Sequence, residues 1–287
     1  MMNAAAPKVY GEYTRDQLDG EYDNVRKVPG FDFKAYLARL DEANRSARRQ
    51  YAQALQGDLS YGESAEETLD LFMVNPGGPL HVFYHGGYWR MLHKNDFTYL
   101  AHGILPHGHN LAIVNYALIP TVRMGELVDQ CERALQWLMR NAATLGFDPE
   151  RISVSGHSAG GHLAAMMATR KFPYPLASIC AMSGIFDLAP IQQCFLNDVL
   201  ALTDQEVRDY SPYRLTPCFQ GPLHILTGAE EGPEYERQAG VLQSAWRVLR
   251  PEPTLTLAPE HHHFTLRADL ADPHSEVTRA ALFLPAN

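Results

Sequence analysis

Ser158 stands in Gly156-His157-Ser158-Ala159-Gly160, between two segments of different periodicity. Before it, Arg151-Ile152-Ser153-Val154-Ser155 alternates apolar and small polar residues and is rich in β-branched types, which predicts a short buried strand. After it, Leu163 to Ala168 is an apolar run of helix-favouring residues. A G-x-S-x-G between strand and helix is a tight turn that lifts a serine hydroxyl above the edge of a sheet. The turn drives that serine towards positive φ, which is costly for a residue with a Cβ, and glycines two residues either side relieve the crowding. A hydroxyl so placed is suited to attack on a carbonyl, with helix N–H groups directed at the reacting centre. A Gly/Ser turn without chemistry is the alternative that the motif alone leaves open.

Acyl transfer needs three further parts. The first is a set of donors for the oxyanion, each worth on the order of 3 kcal/mol. His85-Gly86-Gly87-Tyr88-Trp89 follows a predicted strand over 80–84, so Gly86 and Gly87, with the Tyr88 N–H, can supply one or two donors, and Ala159 another. His85 reads as a brace for this loop, and a Gly-Gly turn beside a core tryptophan is the competing explanation. The second part is a carboxylate that holds the tautomer of a general-base histidine. The loop Thr227-Gly228-Ala229-Glu230-Glu231-Gly232-Pro233-Glu234-Tyr235 offers Glu230, Glu231 and Glu234. Acidic residues are also expected there as charges at the start of a helix near Pro233, with Glu234 facing solvent or capping that helix. The third part is the histidine, and Glu260-His261-His262-His263-Phe264 lies where the order serine, acid, histidine requires it. Spacing does not choose among the three. A metal site built from these histidines, or from His102, His107 and His109, is not expected: adjacent histidines in an extended loop cannot all reach one ion, and no carboxylate-rich ligand spacing accompanies them.

The elements that must position these residues follow from periodicity. Strands are predicted over 68–74, 80–84, 110–118, 151–155, 176–182, 222–227 and 253–257, and a long helix runs from Thr121 to a stop near Gly146. Nearly continuous apolar strands between amphipathic helices predict an α/β fold, a mostly parallel central sheet with helices on both faces. Ligands bind such sheets at the carboxyl ends of the strands, where all four motifs fall. Thr14-x-x-Gln17 is a candidate capping box. Phe33, Tyr36, Leu37, Leu40, Ala43, Ala47 and Tyr51 recur at helical spacing, predicting a helix over 31–55 that is either scaffold or a wall beside the site mouth. Residues 187–220 break the alternation and read as a cap insertion, with a helix start at Thr203-x-x-Glu206. The expected organisation is one domain over 1–287, with a helical N-terminal segment 1–57.

With 46% hydrophobic and 20% charged residues, the 287-residue chain can bury a full core. A net charge of −9 without Lys/Arg blocks argues against nucleic acid. Met1 to Asp16 contains no apolar leader-like stretch, and no apolar run approaches a membrane span. Cys131, Cys180, Cys194 and Cys218 are widely separated, as expected of small buried or half-buried residues in a reducing compartment, which points to the cytoplasm. The expected partner is a small-molecule substrate, with no nucleic acid or membrane; homodimerisation stays open.

Taken together, His85-Gly86-Gly87-Tyr88-Trp89, Gly156-His157-Ser158-Ala159-Gly160-Gly161-His162-Leu163 and Ser183-Gly184-Ile185-Phe186-Asp187-Leu188 resemble the arylformamidase (kynurenine formamidase) family of the α/β-hydrolase superfamily. Asn115-Tyr116, Val128-Asp129-Gln130, Pro233-Glu234-Tyr235-x-Arg237-Gln238 and His263-Phe264 extend the likeness, which covers roughly residues 65 to 285. The HGGYW form is the specific part, since general esterases of the superfamily carry His-Gly-Gly-Gly. The resemblance implies an α/β-hydrolase fold and cofactor-free hydrolysis of N-formyl-kynurenine to kynurenine and formate. By position it makes Ser158 the nucleophile, His263 the base and Glu231 the acid, with Gly86, Gly87, Tyr88 and Ala159 around the oxyanion. Family members usually have aspartate where Glu231 stands, and Ala where Gly161 stands; the longer acid leaves Glu230 as a rival. Tyr88, Trp89 and Phe264 are then candidates to stack on the substrate's aryl group, or to pack around it. The first 60 or so residues match loosely.

Overall fold

The computed structural model describes residues 6–285. The chain opens with the antiparallel pair β1 (Lys8–Tyr10) and β2 (Tyr13–Thr14), followed by α1 (Arg15–Tyr22). Thr14 and Gln17 close the expected capping box at its start. In α2 (Phe33–Gln50) the buried stripe is Tyr36, Leu40, Asn44 and Ala47, and Asp32 caps the helix through the Ala35 N–H. The helix is shorter than periodicity predicts, because its expected last residue begins β3 (Leu55–Ser60). That strand went unread in the sequence for a physical reason: it is an edge strand, Leu-Gln-Gly-Asp-Leu-Ser, largely exposed and without a clean alternation.

Next come β4 (Thr68–Phe72), β5 (Leu80–Tyr84), α3 (Leu100–Ile104), β6 (Asn110–Val114), α4 (Met124–Leu145), β7 (Ile152–His157), α5 (Ala159–Met167) and β8 (Ser178–Met182). Three short helices, α6 (Ala189–Gln192), α7 (Asn197–Leu200) and α8 (Asp204–Asp209), occupy the region read as a cap, with the Thr203–Glu206 capping box in place. The chain ends with β9 (Leu223–Gly228), α9 (Pro233–Ala245), β10 (Thr254–Ala258), α10 (His263–Asp269) and α11 (Glu276–Ala281).

The main sheet has eight strands in the order β10-β9-β8-β7-β5-β6-β4-β3. Neighbours from β10 to β6 are parallel, and β4 alone is reversed. Side chains alternate across it: Leu80, Val82 and Tyr84 of β5 join the core under α4, α5 and α9, while Phe83 joins the core under α2, α3, α10 and α11. The small polar residues of β7 have partners on β5. His81 Nδ1 lies 2.8 Å from Ser153 Oγ and Nε2 lies 2.6 Å from Ser155 Oγ, so a buried imidazole is satisfied within the sheet.

Two further boundaries depart from the pattern for reasons that bear on the site. β6 ends at Val114, not Leu118, because the apolar residues 116–118 leave the sheet to brace a neighbouring loop: Tyr116 Oη donates to the His85 carbonyl at 2.6 Å and Gln130 Oε1 accepts from the Ala117 N–H at 2.7 Å. α4 begins at Met124, where the Glu206 carboxylate of α8 accepts the Met124 N–H and pairs with Arg123. Its buried face runs from Met124 to Ala142, and Gly146 at φ 89° ends it in the left-handed conformation. Cys131, Cys180 and Cys194 are buried and Cys218 is exposed, all as free thiols. No helix among the described residues is long and apolar enough to cross a membrane.

Candidate active site

The order of β7, β5 and β6 reverses the direction of strand addition at β5, and a crevice opens at such a switch point. Ser158 follows β7 there with φ 60° and ψ −123°, the strained turn that the sequence predicts. The glycines of the motif are required by close approach. A Cβ at Gly156 would sit 2.1 Å from the Gly160 carbonyl oxygen, and one at Gly160 would sit 1.9 Å from that of Tyr84. The whole of α5 is buried, so the turn is anchored on a fixed helix.

The loop after β9 and the start of α10 bring an acid to a histidine. Glu231 Oε2 lies 2.6 Å from His263 Nδ1, with both residues buried. Glu231 Oε1 accepts from Ser183 Oγ at 2.5 Å and from the Gly228 N–H at 2.7 Å, so both oxygens are occupied. Glu230 is exposed, and its N–H goes to the His261 carbonyl at 3.0 Å. Glu234 neither faces solvent nor caps α9, the two expectations for it. It is fully buried, accepts from Tyr22 Oη at 2.6 Å and pairs with Arg237. Asp187 binds Tyr10 Oη and Arg237 rather than a histidine.

The three consecutive histidines have three different partners. His261 lies 3.2 Å from Asp269, His262 caps α10 by accepting the Phe264 N–H, and His263 meets Glu231. The ring of His263 is flanked by His157 and Tyr235, with centroids 4.4 and 5.1 Å away. His157 is buried; desolvation, with His263 and Arg267 nearby, holds its pKa well below the usual histidine range. With Nδ1 turned to the carboxylate, Nε2 of His263 is the nitrogen left for other chemistry. Ser158 and His263 line one cavity without a hydrogen bond between them in this structure; such pairs often tighten only when substrate binds.

The loop after β5 faces Ser158 from the other side. Gly87, Tyr88 and Trp89 all have positive φ, and a Cβ at Gly86 would come 3.2 Å from Ser158 Cβ. Among the described residues, the N–H groups of Gly87, Tyr88 and Ala159 have no protein acceptor and are free for an oxyanion. His85 is the brace that the sequence suggests: Nδ1 lies 2.8 Å from the Gly86 carbonyl, its ring stacks on Tyr116 at 4.2 Å, and burial pushes its pKa down to about 4. Trp89 is a correction. It is fully buried, donates from Nε1 to His162 Nδ1 at 3.2 Å, and does not line the cavity, because positive φ turns it into the core.

The cavity holds about 270 Å³ and includes Tyr88, His157, Ser158, His263 and Phe264. A larger groove of about 580 Å³ lies at the amino ends of β9 and β10, away from these groups. Tyr22, Asn24, Phe33 and Leu37 of the N-terminal segment wall the cavity, as do Phe195 and Leu196. Asn24 Nδ2 donates to Tyr88 Oη at 2.9 Å and to Tyr235 Oη at 3.0 Å, which ties that segment to the site. Sequence reasoning missed Tyr22, Asn24, Ser183, Arg90 and Arg267 as site residues. Ser183 opened the quoted motif Ser183 to Leu188 without being assigned a role, and Arg267 stands four residues after His263 and so on the same helix face; the others carried no usable signal.

Several known proteins are similar to this chain. The BD-FAE family matches residues 70–195. A solved protein of Silicibacter sp. TM1040, provisionally called a thioesterase, superposes with a TM-score of 0.82 at 30% identity, over 92% of this chain and 98% of its own. Kynurenine formamidase of Danio rerio is 25% identical across 94% of this chain and 96% of its own length. Carboxylesterase NlhH of Mycobacterium tuberculosis is 40% identical over 98 residues, 33% of this chain and 30% of its own. The fold and the serine turn define a serine-hydrolase-like α/β-hydrolase, an enzyme acting on amide or ester bonds. Within that class, the likeness to kynurenine formamidases extends over most of the chain and supports an arylformamidase-like α/β-hydrolase.

Proposed function

We propose that the protein hydrolyses N-formyl-L-kynurenine to L-kynurenine and formate, with Ser158 as nucleophile, His263 as general base and acid, and Glu231 as the carboxylate behind it. His263 Nε2 takes the proton from Ser158 Oγ as the oxygen attacks the formyl carbon. The oxyanion is met by the N–H groups of Gly87, Tyr88 and Ala159, with the Gly86 backbone packed close enough to shape the hole. The tetrahedral centre collapses, His263 delivers its proton to the departing arylamine nitrogen, and a formyl-serine remains. Water, deprotonated by His263, then releases formate and restores the hydroxyl. An arylamine delocalises its lone pair into the ring, so it leaves more readily than an alkylamine. Tyr88, Phe33 and Phe264 give the cavity an aromatic lining suited to the leaving group.

The observation that carries this reading is the 2.6 Å contact of Glu231 with His263 Nδ1, on a cavity that also holds the Ser158 turn. The test compares kcat/KM on N-formyl-kynurenine with that on p-nitrophenyl acetate. Preference for the formamide supports the assignment. Turnover of the ester alone would favour a carboxylesterase instead, the reading suggested by the esterase-like stretch of 98 residues. In either case Ser158→Ala abolishes turnover and covalent labelling by an organophosphate while leaving the fold intact. Labelling that persists at another serine sinks the assignment of the nucleophile.

A further inference from the structure

Arg267 is a buried cation that forms no ion pair among the described residues, with Asp96 acting on it only through its field. It is 8% exposed and stands on α10 one turn after His263. Its Nε donates to Tyr36 Oη at 2.9 Å, and its guanidinium lies over the rings of Tyr36 and Phe97 at 5.3 and 5.1 Å. Among the described residues no carboxylate forms an ion pair with it, and its two terminal nitrogens donate to no protein acceptor. Those nitrogens are nevertheless not sealed in the core, so they open onto the space that Arg267 lines. This space is the cavity of Ser158 and His263, together with an adjoining cleft that shares Leu37, Leu92 and Arg267. In that cleft, Asp96 is engaged by the His93 N–H at 2.9 Å.

A second guanidinium faces the same cavity. Arg90 is half-buried, forms no ion pair among the described residues, and keeps a buried Nε without a partner. Asp23 is the carboxylate on the cavity wall, where it accepts the Arg26 N–H at 3.1 Å. A desolvated, unpaired guanidinium is costly, and a planar carboxylate meets its fork with two parallel charge-assisted bonds.

We propose that Arg267, assisted by Arg90, receives a carboxylate on the leaving-group side of the substrate, so that the cavity selects acid-bearing aryl amides or esters over neutral ones. The proposal rests on the hydrolytic reading of this cavity and names its substrate class. Arg267 binds and positions substrate; it takes no part in proton transfer.

The test measures kcat and KM separately for N-formyl-kynurenine and for 2-formamidoacetophenone, which keeps the aryl formamide and lacks the amino-acid end. Wild type should favour the acid-bearing substrate by about 100-fold in kcat/KM, and Arg267→Gln should collapse that ratio, mainly through KM. Arg267→Lys should restore part of it. If Arg267 serves only to join α10 to α2, both substrates suffer equally and the ratio stands, which overturns the proposal. Should Arg267→Gln fail to fold by thermal melting, Arg90→Gln gives the same reading at a more exposed position. If wild type cleaves neither formamide, the formamidase reading fails separately. The anion preference is then read by competitive inhibition of p-nitrophenyl acetate hydrolysis, comparing 4-oxo-4-phenylbutanoate with neutral butyrophenone. Tighter inhibition by the acid that disappears in Arg267→Gln supports the proposal, and equal inhibition by the two overturns it.

Discussion

Glu231 reaches His263 Nδ1 at 2.6 Å with one carboxylate oxygen while its other oxygen is held by Ser183 Oγ and the Gly228 N–H. The extra methylene of glutamate is accommodated by a close turn: a Cβ at Gly228 would sit 2.3 Å from the His261 carbonyl oxygen and 3.0 Å from Glu231 Oε1. Glu231→Gln keeps the shape and removes the charge. It can also present its amide to Nδ1 and impose the wrong tautomer, so kcat should fall by about three to four orders of magnitude. Glu231→Asp should retain more activity than Glu231→Gln but less than wild type, since the shorter side chain cannot hold Ser183, Gly228 and His263 at once. Glu230→Gln, at an exposed position, should change kcat little. A large loss on Glu230→Gln with little on Glu231→Gln would reverse the assignment.

The histidine run makes a sharper comparison, because its members differ in partner and not in type. His263→Ala should cost several orders of magnitude in kcat, as much as losing the serine, since the two act as a unit. His262→Ala should leave kcat near wild type and lower stability by about 1 kcal/mol through loss of the α10 cap. His261→Ala removes a contact with the half-exposed Asp269 and should be mild in both measurements. Steady-state kinetics and urea melts of the three variants separate these outcomes. A kcat collapse on His261→Ala or His262→Ala would mean that the wrong member has been chosen.

The sheet and the serine turn were legible because local pattern and tertiary role agree there. Continuous apolar strands, a buried helix after Ser158 and glycines around it are all consequences of burial, and burial is what hydrophobic periodicity records. The histidine and the acid were narrowed by motif position but not resolved, since His261, His262 and His263 differ only in where a turn aims them. What escaped depends on long-range pairing. Tyr22 meets Glu234 and Asn24 meets Tyr88, contacts spanning 212 and 64 residues, so a polar-looking N-terminus gave no sign that it walls the cavity. Trp89 failed for a related reason: aromatic character suggested stacking, whereas the backbone conformation at positions 87–89 decides which way the side chain turns.

Four buried histidines make the fold acid-sensitive. Desolvation pushes His81 down to about 3, His85 and His162 to about 4, and His157 well below its ordinary range. His162 shows the local cause of its neutral form: Nδ1 accepts the Trp89 N–H while Nε2 faces the Tyr210 carbonyl at 2.7 Å, leaving no place for a second proton. Such residues bind protons more readily unfolded, near their ordinary value of about 6.5. Their contribution is therefore intact above pH ~6.5 and is lost as pH falls towards the folded values, by up to about 1.4 kcal/mol per pH unit for each. Urea midpoints should drop steadily from pH 7 to pH 5, and His81→Gln should shallow that slope. A flat profile over this range would show that these imidazoles are not buried in neutral form.

Gly86 tests the oxyanion loop without touching a proposed catalytic side chain. A Cβ there would meet the His157 carbonyl oxygen at 2.8 Å and Ser158 Cβ at 3.2 Å, so it presses on the turn that carries the hydroxyl. Gly86 has no positive φ, unlike Gly87, so alanine brings crowding at this position rather than backbone strain. The loop must move by a few tenths of an ångström, away from where an oxyanion would sit, and donor geometry at such a hole is sensitive on that scale. Gly86→Ala should therefore fold with a modest loss of stability yet lose about 100-fold in kcat, with KM changed far less. Organophosphate labelling of Ser158 should slow in parallel, since it uses the same donors. Unchanged kcat in a folded Gly86→Ala protein would mean that the loop after β5 does not serve the oxyanion.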